Sequence, residues 1–210
     1  DNMLPCRDGV GLDAPLELLD LPNGKWTGNI AFLDRDGVLN IGSEDYINKP
    51  EDLVILPGAA DCVARLRQAG FRICVVTNQS PVGRGLWSSE NLSQIHEQLR
   101  MILLESNSDA ILDLILHSPW APWDGSWARK PNPGMLEAGR QILDAAENST
   151  QPNLLFDEKW MDRPDESNSI MVGDREVDMI AASRYGVKGF RCNSQVGISE
   201  VIEIILGGTA

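Results

Sequence analysis

The chain of 210 residues lacks the features that mark several classes of protein. It has no run of about 18 consecutive apolar residues, the length that a membrane-spanning helix needs. Its four cysteines are scattered and form no Cys-x-x-Cys pair. This spacing indicates free thiols in a reducing compartment, so we expect a cytoplasmic protein that does not act on a membrane.

Basic residues are also scarce. Lysine and arginine number 18 against 31 acidic residues, which leaves a formal net charge of −13. A surface of this sign repels nucleic acids and anionic membranes, and we expect neither as a partner. A local cationic pocket with a bound metal ion still allows a small phosphorylated substrate.

What the sequence does contain is an alternation of strands and helices. Apolar runs at 30–33, 72–76, 111–116, 169–172 and 187–191 predict strands, and helical periodicity lies between them. This order predicts a doubly wound, Rossmann-like α/β fold with a mainly parallel sheet. We expect residues 1–28 to form an N-terminal arm and 29–210 the domain. A polar, irregular insertion at about 147–168 is too short for a folded cap, so any cap is minimal.

Polar side chains follow four of these strands. They are Asp34 and Asp36, Thr77 and Asn78, His117, and Asp174. In parallel sheets ligands bind beyond the carboxyl ends of the strands, where these groups are brought together. The alternative is that Asp and Asn only cap the helices that follow. It does not explain Asp34 and Asp36, because a loop comes after them.

Three carboxylates in one crevice repel one another unless a cation compensates. Mg²⁺ suits such oxygen ligands together with a phosphate group. One aspartate can then attack phosphorus as a nucleophile, and a second, two residues later, can protonate the leaving oxygen. Lys130, placed before the next helix, can neutralise phosphoryl charge in the same crevice.

The sequence resembles the haloacid dehalogenase superfamily of aspartate-nucleophile phosphotransferases over about residues 29–192. Four motifs in the family's order carry the resemblance. They are Phe32-Leu33-Asp34-Arg35-Asp36-Gly37, Val75-Val76-Thr77-Asn78-Gln79-Ser80, Arg129-Lys130-Pro131 and Gly173-Asp174-Arg175. The wording is most similar to the branch that contains D-glycero-D-manno-heptose 1,7-bisphosphate phosphatases and histidinol-phosphate phosphatases.

The resemblance implies a role for each motif residue. Asp34 is then the nucleophile, Asp36 the general acid and base, and Thr77 and Lys130 complete the catalytic set. Asn78 and Arg129 are implied to bind substrate, and Mg²⁺ is implied to be held by Asp34, the Asp36 carbonyl and Asp174. From the residues themselves, Arg84 in a glycine-rich turn either reaches a second phosphate of the substrate or is simply solvated.

One stretch departs from the resemblance. Relatives carry a cysteine-rich zinc loop before the third motif, but residues 117–129 contain no cysteine. A lone His117 cannot build a tetrahedral site, so we predict no structural zinc. Three tryptophans lie here instead, Trp120, Trp123 and Trp127. They either stack on a sugar ring or, as we favour, pin the loop by packing.

These observations lead to one main functional hypothesis. We expect a magnesium-dependent phosphatase of a small metabolite, with a heptose-type phosphate or bisphosphate as substrate, active as a monomer or weak homodimer. Alternatives are a histidinol-phosphate phosphatase, a nucleotide or polynucleotide 3′-phosphatase, and a non-catalytic binding protein on the same fold. The retained set of Asp34, Asp36, Lys130 and Asp174 argues against the last, since buried charges without a function are costly.

Overall fold

The computed structural model describes residues 3–207. Its centre is a five-stranded sheet in the order β3-β2-β1-β4-β5, and every neighbouring pair is parallel. The strands are β1 (Ile30–Leu33), β2 (Arg72–Asn78), β3 (Leu114–Ser118), β4 (Ile170–Gly173) and β5 (Lys188–Arg191). The predicted doubly wound α/β fold is therefore confirmed.

Helices cover both faces of this sheet. They are α1 (Ala59–Gln68), α2 (Ser80–Gly83), α3 (Ser89–Ser106), α4 (Gly134–Glu147), α5 (Glu176–Tyr185) and α6 (Ile202–Gly207). Ala31 and Leu33 of β1 pack in the same buried cluster as α1, α3 and the start of α6. Ile30 and Phe32 face the opposite way, toward α4 and α5. The alternation along one strand thus places a core on each side of the sheet.

The third strand differs from its predicted span of 111–116, since it begins at Leu114 and ends at Ser118. Asp113 explains the late start. Its buried carboxylate accepts the backbone N–H of Ile73 at 2.7 Å and pairs with Arg72 at 2.9 Å, so a side chain occupies the place of a strand bond. At the other end, pairing with Thr77 and Asn78 extends the strand.

The N-terminal segment, residues 3–28, contains no helix and lies against the domain. Cys6 and His117 exchange backbone hydrogen bonds of 2.8 and 2.9 Å in an isolated antiparallel bridge at β3. Further along, Leu19 and Asp20 accept hydrogen bonds from Arg72 and Arg67. The segment is therefore anchored by backbone and side-chain contacts at several points.

Residues 148–169 form an irregular connection with one short 3-10 helix, Asp157–Lys159. Two ion pairs attach it to α4: buried Arg140 binds Glu166, and buried Glu137 binds the partly exposed Arg163. Among residues 3–207, no helix combines the length and the apolar character needed to cross a membrane. All four cysteines lie in this range as free thiols.

Candidate active site

A cavity of about 630 Å³ opens at the carboxyl ends of the central strands. β1, β2 and β4 lie side by side there, so their terminal side chains converge. The predicted residues that line the cavity are Asp34, Asp36, Thr77, Asn78, Lys130 and Asp174. Asp178 of α5 lines it as well. The structure therefore brings together most of the set that the sequence indicated.

Asp34 lies at the end of β1 and is nearly covered. Its Oδ1 accepts the backbone N–H of Arg35 at 2.8 Å and lies 3.1 Å from Lys130 Nζ. No hydrogen bond from a described residue reaches Oδ2, which keeps its lone pairs for an incoming atom. Burial and the neighbouring Asp178 carboxylate raise the pKa of Asp34 well above its usual range, although Lys130 opposes them.

Lys130 is buried between two carboxylates. Nζ lies 2.7 Å from Asp178 Oδ1 and also donates to the carbonyl of Val76 at 2.8 Å. Burial lowers the pKa of Lys130, but Asp178 and Asp34 more than offset this and leave it above the usual value. The ammonium group therefore stays charged, and its cation lies directly beside Asp34.

Asn78 holds the backbone of Lys130. Its Oδ1 accepts the Lys130 N–H and its Nδ2 donates to the Lys130 carbonyl, both at 3.1 Å. The Asn78 side chain is thus engaged with the protein in this structure. Its predicted contact with substrate stays a prediction, while a positioning role for Lys130 follows from the bonds.

A group of three carboxylates is suited to a cation. One oxygen from each of Asp34, Asp174 and Asp178 lies within 4.8 Å of the others. Asp178 is committed, since it binds Lys130 and the Arg175 N–H. Asp174 is not, because its buried Oδ1 has no hydrogen-bond partner among the described residues. Burial and Asp178 raise the pKa of Asp174, as happens when carboxylates lie close together.

The residues present therefore fit the implied Mg²⁺. Asp34 and Asp174 supply hard oxygen atoms, and the Asp36 carbonyl is the further ligand that the motif implies. Gly37 makes room for this arrangement. A Cβ at Gly37 would lie 2.3 Å from Asp174 Oδ2, and the backbone there adopts a φ of +77°, which glycine alone adopts readily.

The Asp36 side chain accepts hydrogen bonds from three residues. Arg35 Nη2 donates to its Oδ1 at 3.0 Å, Asn40 Nδ2 at 2.9 Å, and Gln79 Nε2 reaches Oδ2 at 3.3 Å. Burial raises the pKa of Asp36, but Arg35 and these hydrogen bonds reverse the direction, so the pKa lies below its usual value. Asp36 is therefore a carboxylate in the free protein.

Arginines gather at the rim of the cavity. Arg175 lines it, whereas Arg84 and Arg129 do not. Burial lowers the pKa of Arg129, Tyr46 and Asp124 raise it, and the guanidinium groups of Arg175 and Arg84 lower it. Arg129 therefore has two other cations nearby, an arrangement that favours a bound anion. Arg175 was not among the predicted site residues, although it follows Asp174 directly at the same strand end.

The three tryptophans of residues 117–129 differ in their contacts, so the two roles that the sequence left open apply to different residues. Trp120 donates to the Leu4 carbonyl at 2.9 Å, and Trp127 donates to Glu137, so both tie the loop down. Trp123 is 73% exposed, and the Arg84 guanidinium lies 4.7 Å from its ring centroid. Loop pinning thus describes Trp120 and Trp127, while Trp123 offers a free face.

Fold and site define a class of protein. Residues 26–186 match the family described as haloacid dehalogenase-like hydrolase, and the chain belongs to this family. It is 40% identical over 114 residues to the D-glycero-beta-D-manno-heptose-1,7-bisphosphate 7-phosphatase of Pseudomonas aeruginosa. That alignment covers 54% of this chain and 61% of the relative, less than two thirds of its length.

Two further comparisons cover more of the chain. The D-glycero-D-manno-heptose-1,7-bisphosphate 7-phosphatase of Thermosynechococcus vestitus is 34% identical over 178 residues, 79% of each protein. A crystal structure of D,D-heptose 1,7-bisphosphate phosphatase from B. bronchiseptica, complexed with magnesium and phosphate, superposes with a TM-score of 0.65. It is 28% identical and covers 87% of both chains. The resemblance stated from the motifs is therefore confirmed.

Proposed function

We propose that this protein is a magnesium-dependent phosphatase of a small phosphorylated sugar. The observation that carries the proposal is the contact between Lys130 and Asp34, 3.1 Å long, beside the unpartnered oxygen of Asp174. A nucleophile, a fixed ammonium group and a carboxylate oxygen that can bind a cation meet at one end of the sheet. The heptose bisphosphate phosphatases that resemble this chain support the substrate class.

The chain's own residues account for each step. The Asp34 carboxylate attacks phosphorus and forms an aspartyl-phosphate, while the bond from phosphorus to the sugar oxygen breaks. Asp36 gives its proton to that oxygen and later takes one from the water that hydrolyses the intermediate. Lys130 neutralises charge on the phosphoryl oxygens. A bound Mg²⁺ supplies further positive charge for the phosphoryl group.

The lowered pKa of Asp36 is compatible with an acid role. A phosphate ester brings negative charge into the cavity, and a nearby negative charge raises the pKa of a carboxyl group. Substrate binding therefore favours the protonated form of Asp36 at the moment when a proton donor is needed. In the free protein, Arg35 holds the same group ionised.

The rim arginines favour a substrate with a second anionic group. Arg175 lines the cavity, and both Arg175 and Arg84 are near enough to lower the pKa of Arg129. A bisphosphate places one phosphate at Asp34 and leaves the other for this cluster. We therefore infer a heptose-type 1,7-bisphosphate as the preferred substrate over a sugar monophosphate.

The test measures phosphate release with Mg²⁺ from a panel of substrates. The panel holds a heptose 1,7-bisphosphate, a heptose monophosphate, histidinol phosphate and a nucleoside 3′-phosphate. We expect the bisphosphate to give the highest kcat/KM, and Asp34→Asn to abolish release. Asp52→Asn, an exposed aspartate, is the matched control. Absence of release from every substrate by the wild type would contradict the phosphatase assignment.

A further inference from the structure

The side chain of Arg35 joins the active site to the far side of β1. It is fully buried, and its Nη2 and Nε bind Asp36 Oδ1 at 3.0 and 3.3 Å. Its Nη1 lies 3.1 Å from Nε2 of His96, a buried residue of α3. The guanidinium group that holds Asp36 is therefore itself held by a histidine outside the cavity lining.

The chemistry of this contact fixes the histidine tautomer. A guanidinium group has donors only, so Nε2 of His96 must accept the hydrogen bond from Arg35. The imidazole proton then lies on Nδ1, which donates to Asp8 Oδ2 at 2.8 Å. Burial lowers the pKa of His96 despite the opposing effect of Asp8, which keeps the ring neutral as this arrangement requires.

Asp8 belongs to the N-terminal segment, ahead of residues 26–186 that match the family. Two residues earlier, the backbone bridge between Cys6 and His117 fixes the segment on β3. The second oxygen of Asp8 faces Nδ1 of His117 at 3.8 Å, and neither atom has a hydrogen-bond partner among the described residues. A directed series of contacts thus runs from Asp8 through His96 and Arg35 to Asp36.

We propose that Asp8 is a positioning residue for the reaction, acting through His96 and Arg35 to hold the side chain of Asp36. This inference rests on the proposed function, in which Asp36 transfers the proton. Without an acceptor at Asp8, the His96 proton can move to Nε2, where it faces the donors of Arg35. Arg35 then loses a hydrogen-bond acceptor, and it holds the Asp36 side chain less firmly in one position.

The kinetic test compares two leaving groups in the full-length chain. A sugar alkoxide needs a proton as it leaves, whereas para-nitrophenolate leaves readily without one. We expect Asp8→Ala to lower kcat/KM for the sugar phosphate by about tenfold or more and for para-nitrophenyl phosphate far less. Asp8→Asn keeps an acceptor for Nδ1–H and should restore much of the loss. Equal losses on both substrates would mean a merely structural role and overturn the proposal.

The matched control is Asp13→Ala, which removes an exposed carboxylate from the same segment. We expect it to leave both kcat/KM values unchanged. A loss as selective as that of Asp8→Ala would contradict the assignment, because Asp13 has no contact with His96.

A second measurement requires no activity. Urea unfolding of the wild type, Asp8→Ala, Asp36→Ala and the double variant forms a thermodynamic cycle. We expect the stability losses to be non-additive, since the two aspartates share Arg35 and His96. Additive losses would overturn the proposal. A wild type without phosphatase activity would refute the proposed function, while this cycle would still decide whether Asp8 and Asp36 are linked.

Discussion

Lys130 and Asp178 form an ion pair that is closed to solvent. Nζ lies 2.7 Å from Oδ1, and the two side chains are 2% and 0% exposed. The same ammonium group lies 3.1 Å from the Asp34 carboxylate. Asp178 and the Val76 carbonyl thus hold the ammonium group in place beside Asp34.

Replacing Lys130 tests this relationship. Lys130→Met removes the charge and leaves the buried carboxylates of Asp34 and Asp178 without the cation that they share. We expect a loss of about 3–5 kcal/mol in the free energy of unfolding, the usual cost of breaking a buried pair. Phosphatase activity should fall below detection. Urea unfolding and phosphate release measure the two effects.

The control is Lys159→Met, which changes an exposed lysine in the same way. Both its stability and its activity should match the wild type. A stable Lys130→Met variant would show that the pair contributes little to folding.

Gly37 provides a test of the metal site. In Gly37→Ala the new Cβ would lie 2.3 Å from Asp174 Oδ2, so the carboxylate must move away. We expect the affinity for Mg²⁺ to fall at least about tenfold, as when groups that orient metal ligands are changed. Calorimetric titration with Mg²⁺ measures it.

Gly186→Ala is the matched control for that variant. Its φ of +94° is also positive, but no atom lies within 4 Å of the added Cβ. Both variants pay a backbone cost of about 1–2 kcal/mol. Only Gly37→Ala should lose metal affinity, and an equal loss in both would contradict the crowding at Asp174.

His117 makes stability depend on pH. Burial lowers its pKa from 6.5 to about 4, despite the nearby Asp8 carboxylate. Between these values the unfolded chain binds a proton that the folded protein does not, so stability falls as the pH drops. The contribution is roughly 3 kcal/mol over the full window.

The measurement is urea unfolding of wild type and His117→Gln across that pH window. Glutamine does not titrate, so the variant should lose less stability on acidification than the wild type. Identical pH dependence in the two proteins would mean that the folded protein accommodates the charged imidazole.

The tryptophan loop gives a prediction with two readouts. Trp123 is 73% exposed, so Trp123→Ala should leave the Tm unchanged. Its KM for the sugar phosphate should rise about fivefold, because the variant loses a stacking face and the cation–π partner of Arg84. Melting and kinetics of one protein sample give both values.

Trp120→Phe should behave in the opposite way. It loses the hydrogen bond to Leu4, worth about 1 kcal/mol, and the Tm should fall by about 2–4 °C. Its KM should be unchanged. A lower Tm in Trp123→Ala would contradict the division of roles.

Much of the site could be predicted because it depends on strand ends. Asp34 and Asp174 follow two strands that are parallel neighbours in the sheet, and their carboxyl ends therefore lie side by side. Lys130 could be predicted to lie near this crevice because it comes between β3 and α4 in the sequence. The predicted start of β3 was wrong for a local reason. The Asp113 carboxylate accepts the Ile73 N–H in place of a backbone carbonyl.

The contacts behind Asp36 could not be predicted in the same way. His96 lies within the apolar stripe of α3 and gave no sign of polar partners. Its contact with Asp8 spans 88 residues of sequence and depends on how the irregular N-terminal segment lies on the surface. The sequence of an irregular segment has no helical or strand periodicity from which its course over the surface could be predicted. Arg84 and Arg129 also lie on loops. Their positions outside the cavity lining could not be predicted, because loop conformation does not follow from a sequence pattern.

The bridge between Cys6 and His117 has a consequence for synthesis. Leu4 and its partner Trp120 are 116 residues apart, so the segment is translated long before its docking strand exists. Asp8 and Asp36 are likewise translated before His96, the residue of α3 that connects them through Arg35. The nascent chain therefore carries its proton-transfer group before it can hold that group in place.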